Sequence, residues 1–178
     1  MTASLGAENL VRYTVLPADS WLTFEARSTL HPVHGKATQL DGFIDANWNA
    51  TGLPAGTPPP RMHVEFPVEQ LRSGNGVQDR EMWKVVDSKR FPRVSADLRE
   101  LHERSEPGRY AASGDVTLAG RSRRYEGELS FAHEGDVVTV EGALSIDIRD
   151  FGLKPPNLLI VKVDPVVKVH LHLVARQG

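Results

Sequence analysis

From Val161 to Leu173, the residues Val161, Val163, Pro165, Val167, Val169, Leu171 and Leu173 fall at every second position, with Lys162, Asp164, Lys168, His170 and His172 among those between. Successive side chains of a strand point to opposite faces, so this period asks for one face in an apolar interior and the other in water. At about 3.4 Å per residue the run spans roughly 40 Å, far beyond an ordinary strand. Val138, Val140, Gly142, Leu144, Ile146 and Ile148 repeat the pattern. Two such strands predict a tall sheet with a deep interior.

The chain has 178 residues, a length that suits a single domain (1–178) with a core over about 12–174, large enough to bury itself without staples. A net charge of −2 supplies no bulk attraction to nucleic acid, and none is expected as a partner. There is no cysteine, which excludes structural disulfides, thiolate metal sites and thiol catalysis. Met1 to Asn9 lacks the basic start and apolar run of a secretory signal, and no stretch approaches the apolar length of a transmembrane helix. The sequence therefore reads as a soluble, cytoplasmic protein, or as a periplasmic or secreted one if a signal has been removed.

Further strand patterns run along the whole chain. Leu10 to Leu16 precedes a Pro17-Ala-Asp-Ser turn. Ser20, Leu22, Phe24 and Ala26 make one face of a second strand, and Gly35 to Trp48 reads as a third, bent at Gly42. After the Thr51 to Pro60 loop, Met62, Val64, Phe66 and Val68 resume the alternation. Arg93 to Leu101, Arg109 to Leu118 and Arg124 to His133 follow, the last two joined by a tight turn at Gly120. Val77 to Asp87 interrupts them as a short helix, which must dock its apolar side on the sheet to persist.

About eight antiparallel strands in this length favour an all-β closed barrel, which leaves no sticky edge. A sandwich is the competitor, but it normally uses shorter strands. Tall strands tilted by about 35 to 45° give a barrel on the order of 30 Å high, with room for one long apolar ligand.

Several segments resemble one family in order and spacing. Tyr13 to Ser20 with Phe24, Gly74-Asn-Gly with Asp79-Arg80 and Met82, Arg90-Phe-Pro92, Gly114 to Gly120, and Asp150-Phe-Gly-Leu153 are similar to the landmarks of YceI-like proteins, the lipocalin-like, polyisoprenoid-binding family. The resemblance implies an extended eight-stranded antiparallel barrel with a helix in the crossover near 77–87. It also implies non-catalytic binding, sequestration or transport of an isoprenoid or fatty-acid-like lipid, with no other cofactor, and is compatible with a homodimer. The chain differs from the family in its Arg27 to His34 segment and its Pro58 to Pro60 loop.

Candidate lining residues are the inward members of the strands: Leu22, Phe24, Ile44, Trp48, Met62, Val64, Phe66, Val116, Leu118, Leu129, Phe131, Leu144, Ile146, Val169 and Leu171. Met82 and Trp83 are open to two readings, ligand contact or simple docking of the helix. His31, His34 and Arg80 are candidate head-group contacts. His170 and His172 lie roughly 7 Å apart on one strand face, the spacing of a metal half-site, but no third ligand is identifiable and no metal is expected. Arg121 to Arg124 is a basic cluster at a hairpin tip, open to an anionic contact or a solvated turn. Asp79, near the helix start, suits an N-cap. No nucleophile elbow, P-loop or dinucleotide motif is present, so no catalytic residue is assigned. Two alternatives remain: a lipid isomerase or cyclase using the same cavity with His31, His34 or Asp79 as acid or base, and a filled barrel with a structural role.

Overall fold

The computed structural model describes residues 10–56, 58–155, 157–158 and 161–178. Its strands are β1 (Val11–Val15), β2 (Trp21–Ser28), β3 (Val33–Thr38), β4 (Asp41–Ala46), β5 (Arg61–Pro67), β6 (Arg93–Glu103), β7 (Arg109–Leu118), β8 (Arg121–Glu134), β9 (Val137–Asp147), β10 (Asn157–Leu158) and β11 (Val161–Gln177). One helix, α1 (Gly76–Val86), lies between β5 and β6.

Strands β1, β4, β5, β6, β7, β8, β9 and β11 form a closed antiparallel barrel of eight strands, sealed where Tyr13 of β1 pairs with Gln177 of β11. The long alternation at β11 makes this closure possible. One edge of β11 pairs with β9 from Val166 to Arg176, while the other pairs first with β2 and then, from Ala175, with β1. In its lower half the barrel wall is therefore extended by the β2–β3 hairpin. Lys36 of β3 donates its N–H to the Arg72 carbonyl at 2.8 Å, and the Arg72 N–H returns to Lys36 at 2.9 Å, tying that hairpin to the segment after β5.

The expected single strand from Gly35 to Trp48 is two strands. They separate at Gln39 and Leu40, where Gln39 adopts a φ of 59°. β3 pairs with β2, whereas β4 pairs with β1 and β5, so one continuous strand could not serve both. Gly42 stays inside β4, where a β-carbon would stand 2.0 Å from the His63 carbonyl oxygen. The Arg121 to Arg124 cluster also sits differently from the expectation: Ala119 and Gly120 form the hairpin tip, and Arg121 opens β8.

Asn75, not Asp79, caps α1, accepting from the N–H groups of Val77 and Gln78. Asp79 is buried, and accepts instead from the backbone N–H and the hydroxyl of Ser73, each at 2.7 Å. Its side chain is spent on the turn that enters the helix, because Asn75 stands one residue before the helix and reaches the free N–H groups first.

The interior holds two packed clusters. One fills the end where β8 turns into β9, with Tyr13, Ile44, Phe131, Val138, Val140 and Leu173 at its centre. The other joins α1 to the opposite end through Val68, Val86, Val116, Leu118 and Phe151. Between the plugged end and the helix the barrel is not filled.

Candidate functional site

A chamber of about 240 Å³ lies between these clusters. The inward residues of β2, β5, β6, β7, β9 and β11 form its wall, α1 supplies Gln78, Met82, Val85 and Val86, and Leu153 and Pro155 close over it from the segment after β9. The wall is apolar except at Gln78, Ser95 and Asp164.

Of the residues singled out in the sequence, Leu22, Phe24, Val64, Phe66, Met82, Val116, Leu118, Leu144, Ile146, Val169 and Leu171 line this chamber together. Ile44, Leu129 and Phe131 lie in the packed plug, with Trp48 and Met62 against it. Trp48 stacks on His133 at 4.5 Å between ring centroids and donates from Nε1 to the Tyr13 hydroxyl at 3.0 Å. Trp83 packs on the cluster beneath α1 and donates from Nε1 to the Leu71 carbonyl at 3.0 Å. That bond orients the indole and docks the helix.

The chamber also recruits residues not singled out in the sequence. Val163 and Val167 belong to the same alternation as Val169, and Val94 and Ala96 to the inward face of β6; the period of two marked all four. Gln78 carried no such mark. It is a polar residue on a short helix, and only the docking of α1 turns it toward the interior.

His31, His34 and Arg80 do not line the chamber. His31 is exposed in the β2–β3 connection, where its N–H donates to Ser28 Oγ at 3.1 Å. His34 is exposed because Val33 and Gly35 take the inward positions of β3, and Arg80 is exposed on α1. His170 and His172 both reach Glu141 on the outer wall, His170 Nε2 at 3.0 Å from Oε2, and the His172 ring stacks on Trp21. Among the described residues no cluster of histidines and carboxylates is arranged to hold a metal ion.

Near the end covered by α1, burial and then the Asp150 carboxylate push the Tyr125 phenol up to about 12. Tyr125 donates to Asp150 Oδ2 at 2.5 Å and accepts from the Asp147 N–H at 3.2 Å. Arg149 holds the Asp147 carboxyl below its ordinary range, mainly through their hydrogen bonds. This network fixes the segment that leaves β9 to cover the chamber. Among the described residues the one carboxylate of the chamber wall is Asp164, whose Oδ1 accepts from the Val166 N–H at 2.9 Å.

A closed antiparallel barrel with a helix across one end and an apolar chamber beneath it defines a lipocalin-like fold. The YceI-like domain profile matches residues 13–175, and the chain belongs to the YceI-like family. Among solved structures it is similar to Burkholderia cenocepacia BcnA, with 17% identity over 90% of this chain and 99% of that one and a TM-score of 0.74. It is also similar to a polyisoprenoid binding domain from Saccharophagus degradans implicated in plant cell wall breakdown, with 14% identity, coverage of 94% and 99%, and a TM-score of 0.74. A Campylobacter jejuni YCEI protein superposes with a TM-score of 0.65 at 11% identity, over 82% of this chain and 85% of that one. No curated protein sequence matches the chain. No helix among the described residues is long and apolar enough to cross a membrane.

Proposed function

We propose that this protein binds and carries a long-chain isoprenoid or similar amphiphilic lipid, with the hydrocarbon in the barrel chamber and no chemistry performed on it. The observation that supports this reading is the wall, apolar apart from Gln78, Ser95 and Asp164. Affinity comes from removing hydrocarbon from water, at roughly 25 cal/mol per Å² before the costs of association. The wall offers one carboxylate, one amide and one hydroxyl, and the carboxylate is already engaged with its own backbone. That complement suits the orientation of a head group and supports binding without catalysis.

At about 240 Å³ the chamber is smaller than the roughly 300 to 1,000 Å³ of typical small-molecule pockets. A long chain therefore fills it with part of its length and leaves through the end covered by α1, where Gln78 and Asp164 lie beside the head. Met82, unbranched and adaptable, is the wall residue best able to make room.

Organic extraction of the purified protein followed by mass spectrometry tests the reading. A long-chain lipid at close to one per protein is expected. Failure both to find such a lipid and to load one would overturn it, and conversion of the loaded lipid would replace carriage with catalysis.

A further inference from the structure

On the outside of the wall formed by β9, β11, β2 and β3 lies a shallow groove of about 910 Å³. Its cationic side chains are Lys36, Arg72 and Lys168, with His34 and His170 beside them. Thr23, Ala143 and Ser145 keep its floor low.

Many basic groups elsewhere on the barrel are matched by acids, although Arg27, Arg61, Arg121 and Arg123 also form no ion pair among the described residues. Arg12 is matched by Asp45 at 2.8 Å, Arg93 by Glu65 at 2.8 Å, and Arg99 and Arg124 by Asp115 at 2.6 and 3.1 Å. Lys36, Arg72 and Lys168 form no ion pair among the described residues; Lys36 lies over the Trp21 ring at 4.8 Å. Among the described residues Glu25 is the one acid that lines the groove, across the strands from His34 and Lys168.

The exposed large apolar side chains of the described residues lie on segments that adjoin the groove residues in the chain. Leu30 is 71% exposed in the β2–β3 connection, Val77 is 62% exposed at the start of α1, and Val166 is 40% exposed on the outer face of β11. The segments that carry Leu30 and Val77 also supply Val33 and Gln78 to the chamber wall. Unmatched positive charge, protruding apolar side chains and part of the chamber wall thus lie on adjoining segments.

We propose that this face docks on a lipid bilayer containing anionic phospholipid, with Lys36, Arg72 and Lys168 against the head groups and Leu30 and Val77 among the acyl chains. Docking brings the chamber wall at Val33 and Gln78 toward the membrane, so a lipid tail that enters between the β2–β3 connection and α1 reaches the chamber without crossing water. The inference rests on the lipid-carrier reading and names where that cargo is exchanged.

Flotation of the protein with phosphatidylcholine vesicles, with and without phosphatidylglycerol as the minority lipid, tests it. Binding is expected only with phosphatidylglycerol, and is expected to weaken as salt rises. The combined Lys36→Gln, Arg72→Gln and Lys168→Gln variant should bind about fivefold more weakly per charge removed, on the order of 100-fold in total. Leu30→Ser with Val77→Ser should weaken binding by about tenfold. Equal binding to neutral vesicles, or unchanged binding by the triple variant, would overturn the proposal. So would retention of the wild type on heparin with no vesicle binding, which would give the groove to a soluble polyanion. Extraction of the same preparations separates the two readings: lipid inside a protein that ignores vesicles leaves the carrier standing without this docking face, and vesicle binding by a protein that neither contains nor loads lipid removes the carrier.

Discussion

The ring of Phe24 lies over Gly35, so close that a β-carbon at position 35 would stand 2.5 Å from Phe24 Cζ. The same β-carbon would stand 2.4 Å from the Arg72 carbonyl oxygen, which holds β3 to the rest of the wall. Gly35→Ala therefore drives the ring further into the chamber or breaks the β3 link. We expect a loss of about 1 to 3 kcal/mol in a denaturant titration and less extractable lipid. Adding Phe24→Leu should restore part of both, and a double-mutant cycle measures the coupling.

Val169 and Leu171 share a face of β11 but not a neighbourhood. Both line the chamber, yet Leu171 is also packed into the plugged end. Val169→Trp should fill the chamber and abolish lipid loading with less than about 1 kcal/mol change in stability. Leu171→Trp should cost about 1 to 3 kcal/mol by overpacking. Full lipid content in folded Val169→Trp protein would remove the chamber as the binding site.

Asn75 and Asp79 anchor α1 by separate means, and their variants should differ. Asn75→Ala removes the cap on Val77 and Gln78 and should cost about 1 kcal/mol. Asp79→Ala strands the Ser73 N–H and hydroxyl, at about 1 to 3 kcal/mol, whereas Asp79→Asn keeps an acceptor and should cost less. Amide exchange over residues 73–80 would read the difference, with the fastest exchange expected in Asp79→Ala.

Alkaline pH should act through Tyr125. Its folded pKa of about 12 lies above the ordinary tyrosine value of about 10, so folding favours the protonated phenol. The stability this contributes is complete below about pH 10 and is lost as pH rises through about 12. A tyrosinate absorbance titration should show its last step near pH 12, and Tyr125→Phe should remove it. Persistence of that step in the variant would reassign it.

The barrel was legible in the sequence because a period of two is a local property, readable at β9 and β11 without knowledge of their partners. The break between β3 and β4 was not legible, since it depends on which strands pair with each half. The boundary of the chamber was equally hidden. Ile44 and Met62 are paired across β4 and β5 on the same inward face as Val64, and all three touch the plug, yet only Val64 of them also reaches the chamber. Height along the barrel decides between them, and height is set by the stagger of the strands. The placement of His34 was hidden for a related reason: it belongs to a strand, and the register of β3 turns it outward.

The seam at β1 and β11 also governs how the molecule can fold. The hydroxyl of Thr14 bonds the Gly178 carbonyl across a sequence separation of 164, beside the Tyr13 and Gln177 pair. Contacts this distant form only after a large loss of chain entropy, and barrels that depend on them fold in milliseconds to seconds. Until Gln177 is available, β1 keeps one edge bare and the chamber has no complete wall. A newly made chain is thus at its most aggregation-prone just before β11 is in place.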